Sequence, residues 1–218
     1  MRRRAVVWFA AAVSLAGAAR AQLPITARAS VSLLEHRVTA GAGLERSSGT
    51  VFGLAARTAL PWRGLEAHAS LRVGSLGANA ASAIDRDLGE LGVGAELPLR
   101  PWLGLEGGVL IRRYESAIAA QRWAWGQIGL RGHTSLLDLL NGQLALSAGL
   151  SIMPFVSVSG ISRPDLAVAT HTAIAYTTGR LTASMRYGLE RFDFPARNNV
   201  RRLEELSSLE LGAAWKFR

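Results

Sequence analysis

The sequence predicts an all-β protein, a closed antiparallel up-and-down transmembrane β-barrel of about ten strands within a range of eight to twelve. Three observations predict it. Apolar residues recur at every second position in segments of about ten residues separated by turn residues. The 218 residues are 49% hydrophobic with positive mean hydropathy, yet after residue 21 no run reaches the roughly 18 apolar residues of a membrane-spanning helix. The chain also opens on an export signal.

That signal comes first in the chain. Arg2, Arg3 and Arg4 precede an apolar run over residues 5–15, and Ala19 and Ala21 are the small residues that a signal peptidase reads. The run is shorter than the roughly 20 residues needed to span a bilayer, so residues 1–21 are expected to be a cleaved signal peptide. Residues 22–218 then form one barrel domain. The arginines also fit twin-arginine export, but that route carries folded cargo, which a membrane barrel is not. The general secretory route is expected.

Composition excludes several functions. The net charge of +9 falls to +5 once Arg2, Arg3, Arg4 and Arg20 are removed, and the remaining basic residues are interleaved with Glu, unlike the stripe of a nucleic-acid binder. There is no cysteine, which excludes disulfides, thiolate metal centres, a cysteine nucleophile and a lipid-anchored N-terminus. No two histidines have metal-ligand spacing, and no cofactor or metal is expected.

Strands follow in order, weak and strong. Residues 27–36 and 50–60 are weak candidates. Residues 65–75 are clear, with Leu65, Ala67, Ala69, Leu71 and Val73 on one face and Glu66, His68, Ser70, Arg72 and Gly74 on the other. Residues 91–97 alternate equally well, residues 103–114 and 122–133 less so, residues 144–152 well and residues 166–177 weakly. The last two, 181–189 and 209–217, are again clear. An even count leaves both termini at one end. Tight turns are expected at residues 61–64, 99–102, 135–142 and 178–179, and longer external loops at 38–49, 77–87, 157–165 and 195–205. Pro154 is expected to end its strand. Residues 60–66 and 100–106 each carry Pro-Trp in a turn leading into a strand, which puts Trp62 and Trp102 at one membrane interface. Trp215 and Phe217 are expected to join them as aromatic anchors.

The last strand, alternating to Trp215 and Phe217, resembles the terminal strand that bacterial outer-membrane barrels present to their insertion machinery. Arg218 makes the aromatic penultimate. With the export signal, the whole mature chain resembles the broad class of small bacterial outer-membrane β-barrel proteins. The resemblance implies the outer membrane of a Gram-negative-type bacterium, contact with its lipid and with the insertion machinery, and no particular activity.

If the apolar faces meet lipid, the opposite faces line the lumen with a polar network of Arg28, Arg57, Glu66, His68, Arg72, Glu90, Glu96, Glu106, Arg112, Arg131, Arg186, Glu190, Glu210 and Lys216, together with Gln127 and His171. Both signs nearly balance, and a narrow barrel is expected to be mostly filled by their pairing. A water path would require Gly74, Gly92, Gly94, Gly108 and Gly212 to stack at one level.

The expected function is a non-enzymatic integral outer-membrane barrel with a structural, surface or weakly permeable, porin-like role. One alternative is a barrel hydrolase acting on lipid or peptide. His133-Thr134-Ser135 with Asp138 resembles the His-x-Ser pair of outer-membrane lipid deacylases, without the Asn-Ala that extends it. Asp85 and Asp87 would be a paired carboxylate in an external loop. The other alternative is a soluble periplasmic β-sandwich binding protein with free edges. Arg201 and Arg202 make lipopolysaccharide phosphate a candidate partner.

Overall fold

The computed structural model describes residues 23–79, 84–139 and 141–217. The expected signal peptide and Arg218 lie outside them. Ten strands follow one another: β1 (Ile25–Ala40), β2 (Gly43–Ala59), β3 (Glu66–Ala78), β4 (Arg86–Arg100), β5 (Leu103–Ser116), β6 (Ala120–Leu139), β7 (Gly142–Val158), β8 (Leu166–Thr178), β9 (Leu181–Arg197) and β10 (Val200–Lys216). Each pairs antiparallel with the next, and β1 pairs with β10 from Thr26 opposite Lys216 to Ala40 opposite Arg202, closing the barrel. Closure leaves no free sheet edge, so the open β-sandwich alternative is excluded.

The connections β3–β4 and β7–β8 are longer, as expected, and the other two expected long loops are corrected. Residues 38–49 are the ends of β1 and β2, joined by a tight turn with Gly41 at φ 59°. Most of 195–205 is likewise strand, and its turn carries Asn198 and Asn199 at φ 51° and 62°, the double left-handed geometry of a two-residue hairpin. Pro154 does not end β7. It ends only the pairing with β8, whose last rung joins Ile152 to Val168, because proline has no N–H to offer the next rung.

The strands run from 13 to 20 residues, longer than the roughly 9–11 needed to cross a membrane. Along most of them the apolar face changes sides. Near the termini the outward positions are apolar: Val31 and Leu33 on β1, Leu91 and Val93 on β4, Ile128 and Leu130 on β6, Leu209 and Leu211 on β10. Toward the other end the inward positions become apolar: Leu34 and Val38, Leu88, Trp123 and Trp125, and Leu206. There the outward positions carry Glu35, Arg37, Arg46, Arg113, Glu115, Arg122, Arg191 and Glu205. The period of two is kept while its phase inverts, as it must if the surroundings change from lipid to water.

Candidate functional site: a polar cavity beneath an aromatic seal

The half of the lumen far from the termini is filled. Trp123 and Trp125, each 2% exposed, meet the Phe192 ring edge-on at centroid distances of 4.9 and 5.9 Å, and Leu34, Val51, Leu76, Leu88 and Leu206 pack around them. His36, which the sequence placed near a strand end, is buried here. It stacks on Tyr114 with centroids 5.1 Å apart, and its Nε2 lies 3.0 Å from a Glu204 carboxylate oxygen.

Below this core a charged strut crosses the lumen. Arg72, Glu90 and Arg112 stand directly opposite one another on β3, β4 and β5. Arg112 donates from Nε to Glu90 at 2.7 Å and sends its two terminal nitrogens across to Glu190 on β9 at 2.8 and 3.0 Å. Its guanidinium also lies 4.7 Å from the Trp125 ring centroid. The fork geometry of guanidinium and carboxylate satisfies both ends of the span.

From the strut toward the termini the barrel is hollow. A cavity of about 600 Å³ extends down to Thr26, Thr182 and Ala214. The expectation of a mostly filled interior does not hold in this half, for two reasons. The inward side of β8 offers Ala169, Ala173 and Ala175. In addition, long side chains lie over glycines on neighbouring strands. A Cβ on Gly149 would come within 2.3 Å of His171, one on Gly94 within 2.7 Å of His68, and one on Gly212 within 2.6 Å of Arg28. The five inward glycines do not line one path. Gly74 abuts Val51 in the sealed half, while Gly94 and Gly212 are covered as described.

All the sequence-selected lumen residues stand at inward register positions, and most are joined. Arg28 meets Glu210 at 2.5 Å, Arg57 meets Glu66 at 2.8 Å, and Arg131 meets Glu96 at 3.1 Å. Arg72 reaches Glu90 at 3.3 Å. Glu106 accepts a hydrogen bond from the Ser151 hydroxyl at 2.7 Å. Arg186 has no carboxylate in contact among the described residues: Glu210, directly opposite, is turned to Arg28. Lys216 lies at the rim opposite Thr26.

The structure separates the other candidates. Trp62, Trp102, Trp215 and Phe217 are all exposed at the end that holds the termini. No hydrogen bond among the described residues joins His133, Ser135 and Asp138, and Asp138 instead accepts from Gln143 at 3.3 Å. Asp85 and Asp87 are used locally, by the Ala78 amide at 2.8 Å and the Ser75 hydroxyl at 2.6 Å. Arg201 forks onto Asp193, and Arg202 bonds Glu204 at 2.8 Å.

No family model and no curated protein matches the chain. Solved structures do. The outer membrane protease OmpT from Escherichia coli superposes with a TM-score of 0.54 over 89% of this chain and 97% of that one, at 12% identity. The translocator domain of the autotransporter NalP from Neisseria meningitidis gives 0.50 over 97% and 95%, at 13% identity. The chain has the fold of a small bacterial outer-membrane β-barrel. At such identities the likeness concerns the fold, and what a barrel of this kind does is decided by its lumen and rims.

Proposed function

We propose that the chain is an integral outer-membrane barrel, exported by a cleaved signal peptide, with a non-enzymatic structural or surface role and a lumen that ends blindly. The observation that carries this is Arg112, clamped between Glu90 and Glu190 directly beneath the Trp125 ring, so that charge pairing and aromatic packing close the same cross-section. The uncharged outward band between the aromatic residues at the terminal end and the charged belt at the other supports insertion in a bilayer, with the cavity toward the periplasm. Reconstitution in planar bilayers should give no open-pore current from the wild type, and steady channel events would overturn the blind lumen. A folded, detergent-independent soluble monomer would overturn the membrane reading.

Two partners belong to the same proposal. The insertion machinery would engage β10, whose aromatic end closes on β1. Lipopolysaccharide phosphate would meet Arg46 and Arg122 before Arg201 and Arg202, since the last two are already bound to carboxylates. Arg46 and Arg122 face outward at the charged belt, opposite Arg37 and Arg113, which are bound to Glu35 and Glu115, and neither Arg46 nor Arg122 has a carboxylate in contact among the described residues. Replacing Arg46 and Arg122 by Ser should lower the lipopolysaccharide that copurifies with the barrel, and unchanged retention would remove this partner.

A further inference from the structure

The strut and the cavity floor below it show opposite charge order on the same two strands. At the strut, β5 supplies the cation, Arg112, and β9 the anion, Glu190. Nearer the termini, β5 supplies the anion, Glu106, and β9 the cation, Arg186. The upper pair touches across the lumen. The lower pair does not: Glu106 is held by the Ser151 hydroxyl, and Ala173, Ala175 and Gly188 line the hollow beside Arg186. Every other inward arginine of this half has a carboxylate in contact, and every other inward carboxylate an arginine. Among the described residues Glu106 has only the Ser151 hydroxyl, and Arg186 is exposed to the cavity.

Two unmatched charges of opposite sign, facing one another across a hollow, are complementary to a molecule that carries both. We propose that the cavity binds a small zwitterion, its carboxylate or other oxyanion on the Arg186 guanidinium and its ammonium on the Glu106 carboxylate. The oxyanion gains the two-pronged donor geometry of an arginine, and the ammonium a carboxylate already oriented by Ser151. A volume of about 600 Å³ lies within the range of small-molecule sites. This deepens the reading of a blind cavity by naming what enters it from the terminal end.

The test titrates the full mature barrel, folded in detergent, by calorimetry with 4-aminobutanoate, 6-aminohexanoate and 8-aminooctanoate, which space the two charges differently. Hexanoate and hexylamine serve as singly charged controls. One chain length should bind best, with each control about tenfold weaker or more, roughly the loss of one charge-assisted contact. Arg186→Met and Glu106→Gln should each cost a similar factor, while Arg186→Lys and Glu106→Asp, which keep the charge, should retain binding within a few-fold. Heat-modifiable gel mobility identifies the variants that have folded. Hexanoate binding as tightly as its amino derivative, absence of heat with every zwitterion at about 10 mM, or indifference to both neutralising variants would each overturn the proposal. Failure here with a current-silent, membrane-inserted barrel would sink the zwitterion site alone, whereas channel events would sink the blind lumen.

Discussion

The imidazole of His171 on β8 occupies the space that a side chain at Gly149, directly opposite on β7, would need: a Cβ there would come within 2.3 Å of Cε1. Gly149→Ala should therefore push the ring into the cavity, at a cost of about 1–3 kcal/mol typical of overpacking. Urea unfolding of lipid-embedded barrel measures it. The His171→Ala, Gly149→Ala double variant should be less destabilised than the sum of the singles, and simple additivity would show that the ring does not depend on the glycine.

Removing Arg112 strands the Glu190 carboxylate and leaves Glu90 with Arg72 alone. Arg112→Met should cost about 3–5 kcal/mol, the usual penalty of stranding buried charges. Adding Glu190→Gln should recover part of that loss. A double variant no more stable than the single would mean that the strut is held by packing against Trp125 and not by its charges.

The seal predicts a spectroscopic division among the tryptophans. Trp123 and Trp125 are buried, while Trp62, Trp102 and Trp215 are exposed at the terminal end. Brominated lipid should quench the latter three and spare the former two. Trp125→Ala should destabilise by about 3–5 kcal/mol, as for other buried aromatics. Equal quenching of all five would contradict the position of the core.

Half of the fold was legible because membrane strands announce themselves by apolar outward residues, as at Leu91 and Val93 or Leu209 and Leu211. The missed half followed the same period with the opposite sign. In β1 the strand was legible to His36, but beyond it Arg37 faces out while Val38 faces in, and residues 38–49 read as a polar loop. The signal that would have found it is the switch of apolar residues from odd to even positions within one strand, visible also where Leu189 gives way to Phe192 and Phe194. The lumen-facing charges were legible from alternation alone. The hollow was not, since it depends on which strand's glycine lies beneath which long side chain, and that is a matter of register between strands distant in sequence.

The outward face makes a depth-dependent prediction. Val93→Arg, in the middle of the uncharged band, should cost about 2–4 kcal/mol, whereas Ser48→Arg at the charged belt should cost about 0–1 kcal/mol. Comparable costs at both positions would mean that the band is not in hydrocarbon.

At the β9–β10 hairpin, the Arg201 guanidinium hydrogen-bonds Asp193 and holds its carboxyl below the usual range. A lowered folded value means that the contact's contribution is complete above the unfolded pKa of about 3.9 and is lost as pH falls through the lower folded value. Arg201→Ser should return the Asp193 titration toward the unfolded value, as read by NMR, and an unchanged titration would show that the pairing is not formed in solution.

The inversion of the apolar face gives the molecule a waterline. A vertical slip toward the terminal side would drag Glu35, Arg37, Arg113 and Arg191 into hydrocarbon, and a slip the other way would lift Leu33, Phe52 and Ile111 into water. The barrel is ballasted from both directions, and its draught in the membrane is written into each strand at the residue where the apolar side changes.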